Sequence, residues 1–242
     1  MPQSRIVHLD KKQHAGLTFS PLENYSFAAG MSAMPLLLHE AASAASCFPI
    51  TFSMDSSATP HALLGLGGKN IFVDAQGGWT APYIPRYADN YPFSLMAVRA
   101  SEQPDAPEVI LAIDENAPHF KQKDGLALYQ DGEPTDLLRT ITVAMGNQYL
   151  GKKNSIQPLG ELALSNVLRE QTVTITAKGK KRAVSGLRVA DRKTVMALPD
   201  ETLGRWAKNG LLELLYAHWW SMRNLQTLLE DPSCPAAGET KN

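Results

Sequence analysis

Asp74 and Asp114 each close an apolar run, NIFVD and EVILAID, and a carboxylate at a strand end can face a pocket or close a turn. With His218, set beside Trp219 and Trp220 in an apolar C-terminal segment, they form the candidate catalytic set, two carboxylates and an imidazole for acid/base work. Burial shifts such an imidazole toward its neutral form, and Glu213, Tyr216 and Asn224 stand within a turn or two of it. The plainer expectation stands beside this one. Asp74 and Asp114 would then serve their turns, and His218 would anchor its helix by bonding a backbone carbonyl.

The remaining residue patterns exclude several chemistries. His39 and Glu40 are adjacent, hence about 100° apart on a helix, and cannot clasp one ion as an i, i+4 pair does. Neither HxxxH nor HExxH occurs, so no metal is expected, and His61 and His119 read as structural. GxSxG, GxGxxG and GxxxxGK[ST] are absent; GLGGKN stands between two strand-like runs, where a hairpin needs glycine for its own geometry. No cofactor is implied. A different feature points to recognition: Trp79, Tyr83, Tyr87, Tyr91 and Phe93 cluster around Arg86 and Pro82, Pro85 and Pro92. Part of that cluster caps the core, and the rest can line a groove for an extended peptide or a flat ring.

These residues need a scaffold, and periodicity predicts one. Pro35 and the alanine-rich stretch after it predict a helix over 35–46. FPITF, HALLGL and NIFVD predict three strands, the last two joined through Gly67-Gly68, and YIPRYADNYP a single helical turn or loop. FSLMAV and EVILAID predict two more strands, separated by a polar loop through SEQPDAP. Past the ALYQDGEPT turn, one helix runs from Thr135 to about Gly151, with Lys152 and Lys153 at its end, and a second from about Pro158 to Arg169. TVTIT and AVSGLRV form a hairpin with a basic tip at KGKKR, and Asp200 would N-cap a helix through Trp206. LLELLYAHWWSMRNLQTLLE, apolar nearly all round in its first half, must be a long helix buried against several neighbours. The fold class is therefore α+β, a mainly antiparallel N-terminal β-meander over about 47–130 packed against a helical C-terminal half containing one β-hairpin. We expect a single domain over 1–242, with a sheet lobe at about 20–130, a helical lobe at about 131–230 and a flexible tail at 231–242.

Bulk composition sets the partner classes. The 242 residues carry 23 Lys+Arg against 24 Asp+Glu, a net charge of -1, which gives no field to attract nucleic acid or anionic lipid. No window approaches the roughly 20 apolar residues of a membrane helix. The opening MPQSRIVHLDKKQHAGL has no apolar signal core, and the only cysteines are Cys47 and Cys234. The expectation is a soluble, cytoplasmic protein.

The segments YSFAAGMSAMPLLLHEAASAASCFPITF, HALLGLGGKNIFVDAQGGWTAPYIPRYADNYPF, LAIDE, DGEPT, VSGLRVAD and LLYAHWWSMRNLQTLL together span roughly residues 20 to 230. In this order they resemble the bacterial SapC family, named after a protein linked to a surface layer and distinct from the peptide-transporter permease of the same name. The family is defined by sequence more than by activity and carries over no catalytic residue set. The resemblance implies a link to flavin-dependent halogenase-like proteins and cupin-like oxygenase relatives, near which members are often encoded. The functional expectation is a noncatalytic accessory or binding protein that recognises a peptide, a partner protein or a small aromatic or apolar ligand through Trp79, Tyr83, Arg86, Tyr87 and Tyr91. The alternatives are a small-substrate enzyme using Asp74 or Asp114 with His218, and a structural surface-layer component.

Overall fold

A short run of β-branched and aromatic residues becomes an inner strand when it is buried on both faces, and Ile50–Phe52 meets that condition with all three residues buried. It is the central strand of a five-stranded antiparallel sheet in a computed structural model that describes residues 4–98, 108–177 and 180–231. The SEQPDAP loop, the hairpin tip at 178–179 and the tail from 232, with Cys234, lie outside the described residues. The chain is α+β, with antiparallel sheets, and divides into two compact units that interleave in sequence. One is Met1–Glu23 with Asp89–Leu150; the other is Asn24–Ala88 with Gly151–Asn242. The expected lobe boundary near residue 130 coincides with no unit boundary.

In the larger unit the sheet order is Leu168–Ala177, Lys180–Ala190, Ile50–Phe52, Pro60–Leu63, Ala33–Pro35. The predicted C-terminal hairpin is present, and it continues the N-terminal strands through the pair Arg188 and Phe52. Within the hairpin the register slips between Gln171 and Val173, opposite Gly186 at φ 72°, a bulge in which glycine supplies the left-handed turn. The core behind the sheet holds Met34, Phe48, Ile50, Trp206, Leu211 and Leu214, none of them accessible.

Four local expectations for this unit are corrected. The stretch 35–46 is not one helix: Pro35 ends the edge strand Ala33–Pro35, where a missing N–H is tolerated, and Leu38–Glu40 and Ala41–Ala44 form two short turns. NIFVD is not a strand, because the Asn70 side chain bonds the Phe72 N–H and the Ala28 carbonyl and draws the backbone into a turn; only Val73 and Trp79 bridge. The long C-terminal helix is three pieces, Leu211–Ser221, Met222–Asn224 and Leu225–Glu230. At the first break Ser221 Oγ donates back to the His218 carbonyl, and at the second the Asn224 amide donates to the Ala45 carbonyl. Asp200 is the first helical residue of Asp200–Lys208, with Pro199 in the cap position.

The smaller unit builds a three-stranded sheet from Phe93–Val98, Glu108–Asp114 and Ile6–His8, the middle strand being Glu108–Asp114. Strands of the expected meander are thus shared between two sheets. Tyr129–Gln130 and Glu133–Pro134 close a tight hairpin whose central Asp131 and Gly132 both have positive φ, the Asp-Gly turn that matches strand twist. Leu9, Phe93, Ile113, Leu128, Leu138 and Met145 form its core.

The helix Asp136–Leu164 has residues in both units and is continuous, although two helices were predicted. Gly151 weakens a helix by only about 1 kcal/mol relative to alanine. Pro158 inside it costs about 3 kcal/mol, which the burial of Leu159 and Leu162 in the larger core offsets. Among the described residues no helix is long and apolar enough to cross a membrane.

Candidate functional site

The aromatic and proline segment of the larger unit begins at a turn that Asp74 builds. Its Oδ1 accepts the N–H groups of Gln76 and Gly78, at 2.9 and 2.8 Å, and its own N–H donates to the Gly78 carbonyl. Gly77 holds φ 89°, and a Cβ there would collide with Ser26 Oγ and lie 2.9 Å from Asn24 Oδ1. The turn delivers Trp79 onto the core, edge to face with Tyr25 and Phe48 at ring centroid distances of 5.6 and 6.1 Å.

From there a buried carboxylate organises the chain. Glu40, only 3 % exposed, accepts from the Tyr83 hydroxyl at 2.7 Å and the Arg86 N–H at 2.8 Å on Oε1, and from the Leu37 N–H at 2.7 Å on Oε2. Trp79 Nε1 donates to the Tyr83 carbonyl at 2.8 Å. Trp79 and Tyr83 are half-buried, and each uses its polar atom to brace the loop. Arg86 and Tyr87, by contrast, have exposed side chains at the start of the short helix Arg86–Asp89, Tyr87 at 48 %. Sequence reasoning met Glu40 as the neighbour of His39, in excluding a metal pair, and missed this function. The signal was a single carboxylate inside LLLHEAASAAS, where burial demands donors.

Tyr91 belongs to the smaller unit, where its hydroxyl donates to Asp114 Oδ2 at 3.0 Å. Asp114, 3 % exposed, also accepts from Ser4 Oγ and the N–H groups of Arg5 and Asn116. Burial works to raise its pKa, but these four donors outweigh it and hold the carboxyl below its ordinary value. Burial raises the Tyr91 phenol well above its ordinary value, and the bond to the Asp114 charge adds to the effect. The adjacent Glu115 collects Arg5 Nη1 at 2.9 Å, Gln13 Nε2 at 3.0 Å and His14 Nε2 at 3.0 Å. Sequence reasoning named Asp114 as a candidate acid; its partners from the N-terminal residues, and those of Glu115, carry no local signal.

His218 lies in the larger unit, 1 % exposed. Its Nδ1–H donates to the Ile50 carbonyl at 2.7 Å, and its Nε2 accepts the Ala190 N–H at 3.1 Å. Burial lowers its pKa to about 4, against a smaller opposing effect of the Ile50 bond. Asp74 and His218 share no hydrogen bond, and both imidazole nitrogens are taken by backbone. Among the described residues no three His, Cys, Asp or Glu side chains gather as metal ligands.

Neither a curated protein nor a solved structure matches this chain. The SapC family model matches residues 9–228, which contain every side chain described above except Ser4 and Arg5. With nearly its whole length covered by that match, the chain belongs to the SapC family.

Proposed function

We propose that this SapC-family chain is a noncatalytic binding protein that takes an extended segment of a partner protein against the Trp79–Tyr87 loop. The observation that supports it is the bracing of that loop by Glu40. One carboxylate and the Trp79 indole fix the backbone from Trp79 to Arg86, so the exposed Arg86 and Tyr87 side chains are presented on a backbone already ordered. Preorganisation of this kind lowers the entropy lost on binding, and exposed Tyr and Arg are the residue types that anchor interfaces. Tyr91, placed in the other unit, is not part of this surface as proposed.

The acid/base alternative has weaker support, since Asp74, Asp114 and His218 are engaged by backbone groups that hold them in structural roles. The cytoplasm is the compartment we assign, consistent with the free thiol of Cys47. Halogenase-like proteins, associated with the family, are the first partners to assay. The test is capture of a halogenase-like protein, of the kind often encoded near family members, by the full chain and by an Arg86→Ala/Tyr87→Ala variant. Loss of capture with an unchanged unfolding midpoint supports the loop; undiminished capture by the variant, or turnover of a substrate by the purified chain alone, overturns the reading.

A further inference from the structure

His119 buries a polar atom, Nδ1, that has no hydrogen-bond partner. The residue is 3 % exposed and lies on the turn Pro118–Phe120 of the smaller unit. Its Nε2 is 3.3 Å from the Leu22 carbonyl oxygen. A carbonyl only accepts, so the ring proton resides on Nε2 and Nδ1 presents a bare lone pair. Burial also holds this imidazole below its ordinary pKa, opposed by the weaker Leu22 bond, which keeps the ring neutral at pH 7.

The surroundings are aromatic. Phe19 lies parallel to the imidazole, 5.9 Å between centroids and 5° between planes, and Tyr91 meets it edge to face at 5.3 Å. Phe120 and Phe93 pack beyond Phe19. None of the phenylalanines can donate to Nδ1, and the Tyr91 hydroxyl is directed to Asp114. A buried acceptor stripped of water and given no donor is unfavourable, and native structures rarely leave one so. We infer that His119 Nδ1 is the anchor of a one-point binding site in the smaller unit, which takes a small neutral guest through an O–H or N–H donor. The guest is neutral because the ring is neutral and the Asp114 carboxylate, bonded to the Tyr91 hydroxyl beside it, already accepts four donors and has no demand for a cation. Two sources share this donor chemistry, an internal water and a small organic alcohol, amide or ring N–H. The site is separate from the Trp79–Tyr87 loop and does not rest on its proposed role.

The experiment uses the full chain, labelled with nitrogen-15, and reads the two-bond proton–nitrogen correlations of the histidine rings. The expected result is His119 as the Nε2–H tautomer, with Nδ1 shifted to the position of an unprotonated nitrogen that accepts a hydrogen bond. Cross-relaxation between the His119 ring protons and water identifies the water source. A bound organic mass in native mass spectrometry, lost in His119→Phe and retained in His119→Asn, identifies the organic one. A proton on Nδ1, or an Nδ1 shift at the unbonded position, overturns the site. So does a bonded shift with neither water contact nor bound mass, because the donor then comes from the chain itself. The correlations are read on the unsubstituted protein and hold even if His119→Phe fails to fold.

Discussion

His218 Nδ1 lies 2.7 Å from the carbonyl oxygen of Ile50, and that bond puts a helical side chain where a neighbouring strand would otherwise pair. Strand Lys180–Ala190 meets Ile50–Phe52 at Arg188 and Phe52, so continuing the antiparallel register by two residues would set Ala190 opposite Ile50. The helix intervenes instead. The Ile50 N–H donates to Ser221 Oγ, the Ala190 N–H to His218 Nε2, and Trp219 Nε1 donates to the Ala190 carbonyl. Three side chains from one helix thus satisfy all four backbone groups of an opened ladder position, which a buried sheet requires.

His218 makes stability depend on pH in a set direction. The unfolded chain takes up its proton near pH 6.5 and the folded chain only near pH 4, so between those values the unfolded state binds more protons. The contribution is complete above about pH 6.5 and is lost as pH falls toward 4, by roughly 3 kcal/mol at the limit. His119 adds a loss of the same sign. Urea unfolding at a series of pH values will show the fall, and His218→Gln, which cannot titrate, will flatten it. An equal slope in the variant would exclude His218 as its source.

Removing the Glu40 carboxylate takes the shared acceptor away from three donors. Glu40→Ala should destabilise the chain by about 3 kcal/mol, each part-buried donor that loses this acceptor costing about 1 kcal/mol. Tyr83→Phe removes only one of the three bonds and should cost about 1 kcal/mol. Chemical denaturation ranks the two, and a Tyr83→Phe loss equal to that of Glu40→Ala would contradict the shared-acceptor geometry.

Two glycines with nearly the same φ separate strain from crowding. Gly68, at φ 84°, has open space where a Cβ would go, whereas Gly77, at φ 89°, faces Ser26 Oγ and Asn24 Oδ1. Gly68→Ala should cost about 1 kcal/mol from the left-handed backbone. Gly77→Ala should cost distinctly more, measured as a larger drop in unfolding midpoint, because the Asp74 turn must also shift.

Tyr91→Phe deletes one of four donors to Asp114. The Asp114 pKa should then rise toward its ordinary value, and stability below that value should fall less steeply with acid. Carboxyl carbon-13 titration reads the change directly; an unmoved Asp114 would show that the Tyr91 bond does not form in solution.

Patterns carried by adjacent residues were readable without coordinates. The hairpin of TVTIT and AVSGLRV, the paired strands FSLMAV and EVILAID, the helical turn at Arg86–Asp89 and the Asp-Gly turn all follow from side-chain period and turn chemistry, which neighbours in sequence determine. The α+β class followed from the same kind of information, and the family from the resemblance of the ordered segments.

Tertiary structure decided what depends on partners far along the chain. Asn70 reaches back to Ala28 and turns a strand-like run aside, and Leu159 and Leu162 enter a core that outweighs the break at Pro158. The loop that displays Arg86 and Tyr87 is braced by Glu40, whose partners lie 43 and 46 residues away. His218 bridges Ile50 and Ala190 at separations of 168 and 28 residues. A hydrogen bond of this kind depends on positions in space that only the packed core brings together, so residue type announces a buried carboxylate or imidazole while burial alone selects its donors and acceptors.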